Sequence, residues 1–262
     1  MIRSPLITVM VQAVRKAGRN LARDFGEVEN LQVSLKGPAN FVSSADRKAE
    51  ETLYAELSRA RPGYGFTMEE RGKVEGQDEA NEWVIDPLDG TTNFLHGIPL
   101  FAISVALVRN GVPFAGVIFN PVTDELYVAE KGQGAYLNDR RLRVAARRKL
   151  ADCVVGCGIP HLGRGDHNKF QRELALVQGQ VAGVRRTGAA ALDLAWVAAG
   201  RFDAFWERDL SSWDMAAGMI LIREAGGSVT DLDGHDKSLE NGHIIAGNAD
   251  MREDLFRLLK KA

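Results

Sequence analysis

The chain has 262 residues, 45% of them hydrophobic and 26% charged, with a formal net charge of -2. That is an ordinary globular composition for one large domain or two closely joined halves, and a charge so near zero argues against a general nucleic-acid binder, though not against a local basic patch. No run approaches the roughly 20 apolar residues needed to span a bilayer, and the N-terminus lacks a signal-peptide pattern; a cytoplasmic protein without membrane contact is the expectation.

Ser4 reads as a helix N-cap with Pro5 in the first turn, and Ile7, Met10, Val11, Val14, Leu21 and Phe25 recur at helical spacing. Leu31, Val33 and Leu35 alternate like a strand. Ala45, Ala49, Leu53 and Leu57 mark a second helix, stopped by Pro62 and Gly63. From Trp83 to Leu137 short apolar runs alternate with turns, and Asn110-Gly111 joins two of them as a two-residue hairpin would. This predicts an antiparallel meander. A basic stretch, Arg140, Arg141, Arg143, Arg147, Arg148 and Lys149, separates it from the second half. There, strands are predicted at 154–156 and 181–186, and helices at 170–177, 190–199, 215–225 and about 250–260. Helices before, between and after sheet segments argue for stacked α and β layers. Cys153 and Cys157 have no partner at zinc-ligand spacing and read as two reduced, buried thiols. His161 and His167 read as loop residues, and Asp233-Gly234 as a turn after a strand.

The segment 82–94, Glu-Trp-Val-Ile-Asp-Pro-Leu-Asp-Gly-Thr-Thr-Asn-Phe, carries the most chemistry. Trp83-Val84-Ile85 is a buried-strand run with Asp86 at its end. Pro87 is expected to take the chain out of the ladder, and a turn then returns Asp89 beside Asp86. Convergent carboxylates repel unless a cation lies between them. With oxygen donors alone, that cation is hard: magnesium, or manganese as a substitute. Gly90-Thr91-Thr92 would present N–H groups at a helical turn, an arrangement that suits phosphate. Asp-Gly is also a common turn, and Asp214 at a helix start is also a common cap.

With these motifs in place, the sequence resembles the inositol monophosphatase family. The segment 83–94 is similar to its first signature, Asp-Pro-x-Asp-Gly-Thr after an apolar strand. Ser212-Trp213-Asp214-Met215-Ala216-Ala217-Gly218 is similar to its second, and Phe66-Thr67-Met68-Glu69-Glu70 falls where the family has a strand ending in Gly-Glu-Glu. Met68 stands where Gly is usual.

The resemblance implies an α+β fold, the layered αβαβα sandwich of the inositol monophosphatase and fructose-1,6-bisphosphatase superfamily. It would form one domain over 1–262, with lobes at about 1–149 and 150–262. It implies a phosphomonoester hydrolase acting through two or three Mg²⁺ ions, inhibited by lithium, on myo-inositol monophosphate. Phosphatases of histidinol phosphate, fructose 1,6-bisphosphate or 3′-phosphoadenosine phosphate share the same metal site. Glu69, Asp86 and the Leu88 carbonyl would hold one metal; Asp86, Asp89 and Asp214 would hold the second. Glu69 and Thr91 would orient the attacking water, with Asp46 near a third metal or its waters. Lys36 matches a basic position beside the site. The Gly90 and Thr91 amides would hold phosphate, Gly188, Ala189 and Ala190 would form a platform under the ring, and Glu207 would accept its hydroxyls, with Arg208 beside it. The resemblance also suggests a homodimer. Some bacterial members act in ribosomal RNA transcription, so the basic stretch 140–149 is a candidate contact for RNA or the transcription machinery, or simply a solvated connection.

Overall fold

The Ser4 hydroxyl accepts the Ile7 N–H at 3.2 Å, and Pro5 fills the first turn of α1 (Pro5–Phe25). In this computed structural model residues 3–27, 33–37 and 40–262 are described; Leu31 and the Lys36 side chain lie outside them. β1 (Val33–Gly37) and β2 (Asn40–Ser43) pair antiparallel. A capping box between Ser43 and Asp46 then opens α2 (Ser44–Ala60), whose Ala45, Ala49, Leu53 and Leu57 turn inward as their spacing predicts.

β3 (Tyr64–Met68), β4 (Gly72–Val74), β5 (Asp78–Asp89), β6 (Ala102–Arg109), β7 (Val112–Asn120), β8 (Glu125–Glu130), β9 (Gly134–Leu137) and β10 (Arg140–Arg141) form one sheet. Its order is β10-β9-β8-β7-β6-β5-β3-β4, with β3 and β5 parallel and the other pairs antiparallel. The predicted meander is therefore present. Asn110 and Gly111, at φ 50° and 75°, make its β6–β7 turn, a conformation that favours these two residue types.

Along β6 the two faces separate cleanly. Ile103, Val105 and Leu107 join α1 and α2 in one core, whereas Ala102, Ala106 and Val108 face a second core. Met68 is fully buried in the first core, so the larger side chain is absorbed by packing.

The second core is filled by α5 (Ala190–Ala198) and α6 (Ser212–Glu224). These small-residue helices lie between the large sheet and a second one, made of β11 (Val154–Cys157), β12 (Gly183–Arg185), β13 (Ala204–Glu207), β14 (Ser228–Thr230) and β15 (Ile244–Gly247) in the order β12-β11-β13-β15-β14. α4 (His167–Gln178) and α8 (Ala249–Leu259) cover its outer face, sharing a third core with Cys153, Val155, Cys157 and Trp206. The layers run α, β, α, β, α, as expected. Two short helices, α3 (Thr91–Leu95) and α7 (Ser238–Asn241), sit in connections. Among the described residues no helix is long and apolar enough to cross a membrane.

Candidate active site

β5 does not end at Pro87; it runs on to Asp89 through a bulge. Asp86 pairs with Ser104 of β6, but Asp89 pairs with Ala102, so one extra residue is accommodated on β5. Strict alternation would send Asp86 and Asp89 to opposite faces, and the extra residue restores them to the same one. Pro87, lacking an N–H, costs no ladder bond inside the bulge. The Asp86 carboxylate fixes it by accepting the Leu88 N–H at 2.9 Å. Next to Asp86, the Ser104 hydroxyl donates to the Trp213 carbonyl at 3.1 Å, drawing in the start of α6. Asp214 there accepts the Ser211 N–H at 2.7 Å, and is thus also a cap.

Ligand oxygens of Asp86, Asp89 and Asp214 all lie within 4.8 Å of one another. Burial, reinforced by the negative charges around them, pushes all three carboxyls above their ordinary range. Glu69, just past β3, adds to that field at Asp86, Asp89 and Asp214, which places its charge beside the cluster. The donor set is oxygen only, tightly convergent and strained by its own repulsion. It fits a hard divalent cation, which would reverse the penalty.

Thr91 opens α3. Its hydroxyl lies 3.1 Å from Asp46 Oδ1 and 3.1 Å from the Leu88 carbonyl, joining three of the expected residues at one point. Asp46 is fully buried and also closes the Ser43 capping box, so its cap role and its contact with Thr91 coexist. Burial raises its carboxyl above the usual range. Gly90 precedes α3 at φ 90°, a left-handed geometry suited to glycine, and it borders the same cleft as Thr91 and Thr92.

A cleft of about 280 Å³ joins Asp89, Gly90, Thr91 and Asp214 to Gly188, Ala189, Ala190 and Glu207. The N-terminal and C-terminal candidates thus share one space. Glu207, at the end of β13, is pushed up to about 8, first by burial and then by the Asp193 and Asp214 charges. Arg164, Arg186, Asp193, His161 and Cys157 also border the cleft. Asp193 had a signal in the sequence, a lone acid within an apolar helix; it is buried and accepts the Thr187 hydroxyl at 2.7 Å. Arg164 lies in a segment whose pattern gives no such sign, whereas Arg186 stands two residues before the expected Gly188.

Other expectations resolve differently. Arg208 pairs with the fully buried Glu173. His167 begins α4 rather than lying in a loop, while His161 does sit in one. Arg147 is no free surface charge: its Nε donates to buried Asp203 at 2.6 Å. Arg140, Arg141, Arg143, Arg148 and Lys149 remain exposed. Cys153 and Cys157 are buried free thiols. Asp231 accepts the Asp233 N–H at 2.9 Å and the His235 N–H at 2.7 Å, closing the turn expected after β14.

A sequence profile of the inositol monophosphatase family matches residues 2–262. The inositol-1-monophosphatase of Mesorhizobium japonicum is 65% identical over 261 residues, covering 100% of this chain and 98% of its own. The Nus factor SuhB of Pseudomonas aeruginosa is 45% identical over 248 residues, 93% of this chain and 92% of its own. Among solved structures, the extragenic suppressor protein suhB from Bartonella henselae matches with a TM-score of 0.96 at 57% identity, over 99% of this chain and 100% of that one. With its fold, its acidic cluster and these matches in agreement, the chain belongs to the inositol monophosphatase family and is a phosphomonoester hydrolase.

Proposed function

We propose that the enzyme releases phosphate from the monophosphate of a small polyol, with inositol 1-phosphate as the first substrate to test. One observation carries this reading: three convergent carboxylates, Asp86, Asp89 and Asp214, stand in a cleft that also holds Glu207. The name of the Mesorhizobium japonicum relative supports the choice of alcohol. In the proposal Mg²⁺ occupies two or three positions, with Mn²⁺ able to substitute. Glu69, Asp86 and the Leu88 carbonyl hold one ion, and Asp86, Asp89 and Asp214 hold the next. Bound there, divalent ions supply charge that polarises the phosphoryl group and stabilises the departing alkoxide.

The chain's own groups do the positioning. Thr91 donates its hydroxyl proton toward Asp46 or Leu88, which leaves its oxygen lone pairs to accept from the attacking water. Glu69 is the second acceptor for that water. The Gly90 and Thr91 N–H groups receive phosphate oxygens. Gly188, Ala189 and Ala190 form a backbone floor under the ring, and Glu207 accepts its hydroxyls. A carboxylate left unpaired in such a site is costly, so it discriminates against alcohols lacking those hydroxyls.

Phosphate release should be measured on inositol 1-phosphate, histidinol phosphate, fructose 1,6-bisphosphate, 3′-phosphoadenosine phosphate and p-nitrophenyl phosphate, with Mg²⁺, Mn²⁺ or excess chelator. Mg²⁺-dependent turnover favouring inositol 1-phosphate supports the proposal. Full turnover in chelator removes its metal step, and a preference for another ester replaces its substrate. Lithium should inhibit, since it carries half the charge of magnesium at the same position.

Lobes 1–149 and 150–262 are proposed to fold as one domain, supported by the core that α5 and α6 share with both sheets. A cytoplasmic homodimer is the proposed working form. A second reading adds contact with RNA or the transcription machinery. It is supported by the exposed Arg140, Arg141, Arg148 and Lys149 and by the name of the Pseudomonas aeruginosa relative.

A further inference from the structure

Gly158 follows β11 directly, and its N–H donates to the Trp206 carbonyl at 3.1 Å, extending the ladder between β11 and β13. Its φ is not in the left-handed region, so that common backbone reason for glycine does not apply here. Space does. A methyl carbon built on Gly158 would lie 1.8 Å from Glu207 Cδ, 2.0 Å from Oε1 and 2.3 Å from Cγ. All three atoms belong to the Glu207 side chain, whose arm therefore lies against the bare Cα of Gly158. The Glu207 backbone is held in β13 by its pairing with Ile244 of β15, so a clash must be relieved by moving the carboxylate.

That carboxylate stands between two hollows. On one side is the cleft with Asp89 and Asp214; on the other is a smaller space of about 50 Å³ lined by Phe170, Glu173, Trp206 and Arg208. Gly158 borders both. Any displacement of Glu207 thus changes the wall facing the alcohol, far more than the groups facing phosphate.

We infer that Gly158 is a specificity-determining position: by carrying no side chain it seats Glu207 and sets the depth of the polyol side of the cleft. This rests on the proposal that Glu207 receives the hydroxyls of the alcohol. Gly158 acts through Glu207 and is a positioning residue.

A double-mutant cycle tests it, using Gly158→Ala, Glu207→Ala and the combination in the full chain with Mg²⁺. The readouts are Tm and the ratio of kcat/KM for inositol 1-phosphate to that for p-nitrophenyl phosphate. Gly158→Ala should lower the ratio about tenfold, yet change it less than about twofold once Glu207 is already Ala. It should lower Tm only while Glu207 is present, which also guards against a variant that merely folds poorly. An unchanged ratio in Gly158→Ala, or an equal fall in both backgrounds, overturns the inference. If Glu207→Ala alone leaves the ratio intact, the polyol reading fails and the specificity role falls with it. Coupling that persists in Tm would then show that the steric seat itself is real, so the two failures are distinguishable.

Discussion

Asp89 accepts the Ala191 backbone N–H at 2.7 Å, across 102 residues of sequence. The same side chain that stands in the acidic cluster therefore caps the first turn of α5, locking the phosphate end of the cleft to the alcohol end. Substitutions at Asp89 must be read on both accounts. Asp89→Asn keeps a carbonyl oxygen for Ala191 but removes the charge, and should lower turnover at least about a hundredfold. In chelator its Tm should match or exceed that of the parent, because a buried, mutually repelling charge is gone. Asp89→Ala also loses the cap, costing about 1 kcal/mol more. Undiminished phosphate release by Asp89→Asn would sink the proposed metal site.

The Thr91 hydroxyl gives a second, sharper test. With Asp46 Oδ1 and the Leu88 carbonyl each 3.1 Å away, its proton is directed inward and its lone pairs outward. Thr91→Val removes both while keeping the shape, and kcat should fall roughly 10²- to 10⁴-fold with KM little changed. Thr91→Ser should keep most of the activity. A Val variant as fast as the parent would relieve Thr91 of any part in holding the water.

What was legible in the sequence had local causes. Ser4, Ser43 with Asp46, and Asn110-Gly111 each announce a cap or turn through hydrogen bonds and φ values confined to a few residues. Asp86, Asp89 and Asp214 were visible because paired motifs make carboxylates conspicuous. The bulge was not, since Pro87 is equally compatible with a strand ending there. β13 and β15 lack alternation because both their faces are buried. Arg164 reaches the cleft through long-range packing, and Arg186 reaches it beside Gly188. Arg147 looked like one of six solvated cations, and nothing nearby in sequence reveals that Asp203 holds it.

That ion pair changes how the basic segment is tested. The Arg147 guanidinium binds Asp203, and the other Asp203 oxygen accepts the Val154 N–H at 2.8 Å, so the pair anchors the connection to β11. Arg147→Ala should cost roughly 1–3 kcal/mol, visible as a lower Tm, through the buried carboxylate it leaves behind. Arg140, Arg141, Arg148 and Lys149 are the appropriate probes for nucleic acid. If they contact RNA phosphates, replacing each by Gln should flatten the salt dependence of binding by about 0.7–0.9 per lost contact. An intact protein with no salt-sensitive RNA binding would leave the segment a solvated connection.

Glu207 offers a test that separates substrate recognition from fold. Burial first, then the Asp193 and Asp214 charges, raise its carboxyl to about 8, against an ordinary value of 4.5; Arg164 and Arg186 pull the other way. Between those two values the folded protein holds a proton that the unfolded chain has lost. Stability in chelator should therefore be highest toward pH 4.5 and fall as pH rises to about 8, with no further loss from this group above that. Glu207→Gln should flatten that decline, as read from Tm across the same pH range. Kinetics supply the independent half. With substrate bound, the carboxylate form accepts ring hydroxyls through charge-assisted bonds worth about 1.5–3 kcal/mol each. Glu207→Gln should accordingly lower the kcat/KM ratio of inositol 1-phosphate to p-nitrophenyl phosphate roughly ten- to a hundredfold. A flattened pH profile with an unchanged ratio would make Glu207 a half-buried acid without a part in choosing the alcohol. A changed ratio with an unaltered profile would mean that its carboxyl is already ionised in the free enzyme, held so by Arg164 and Arg186.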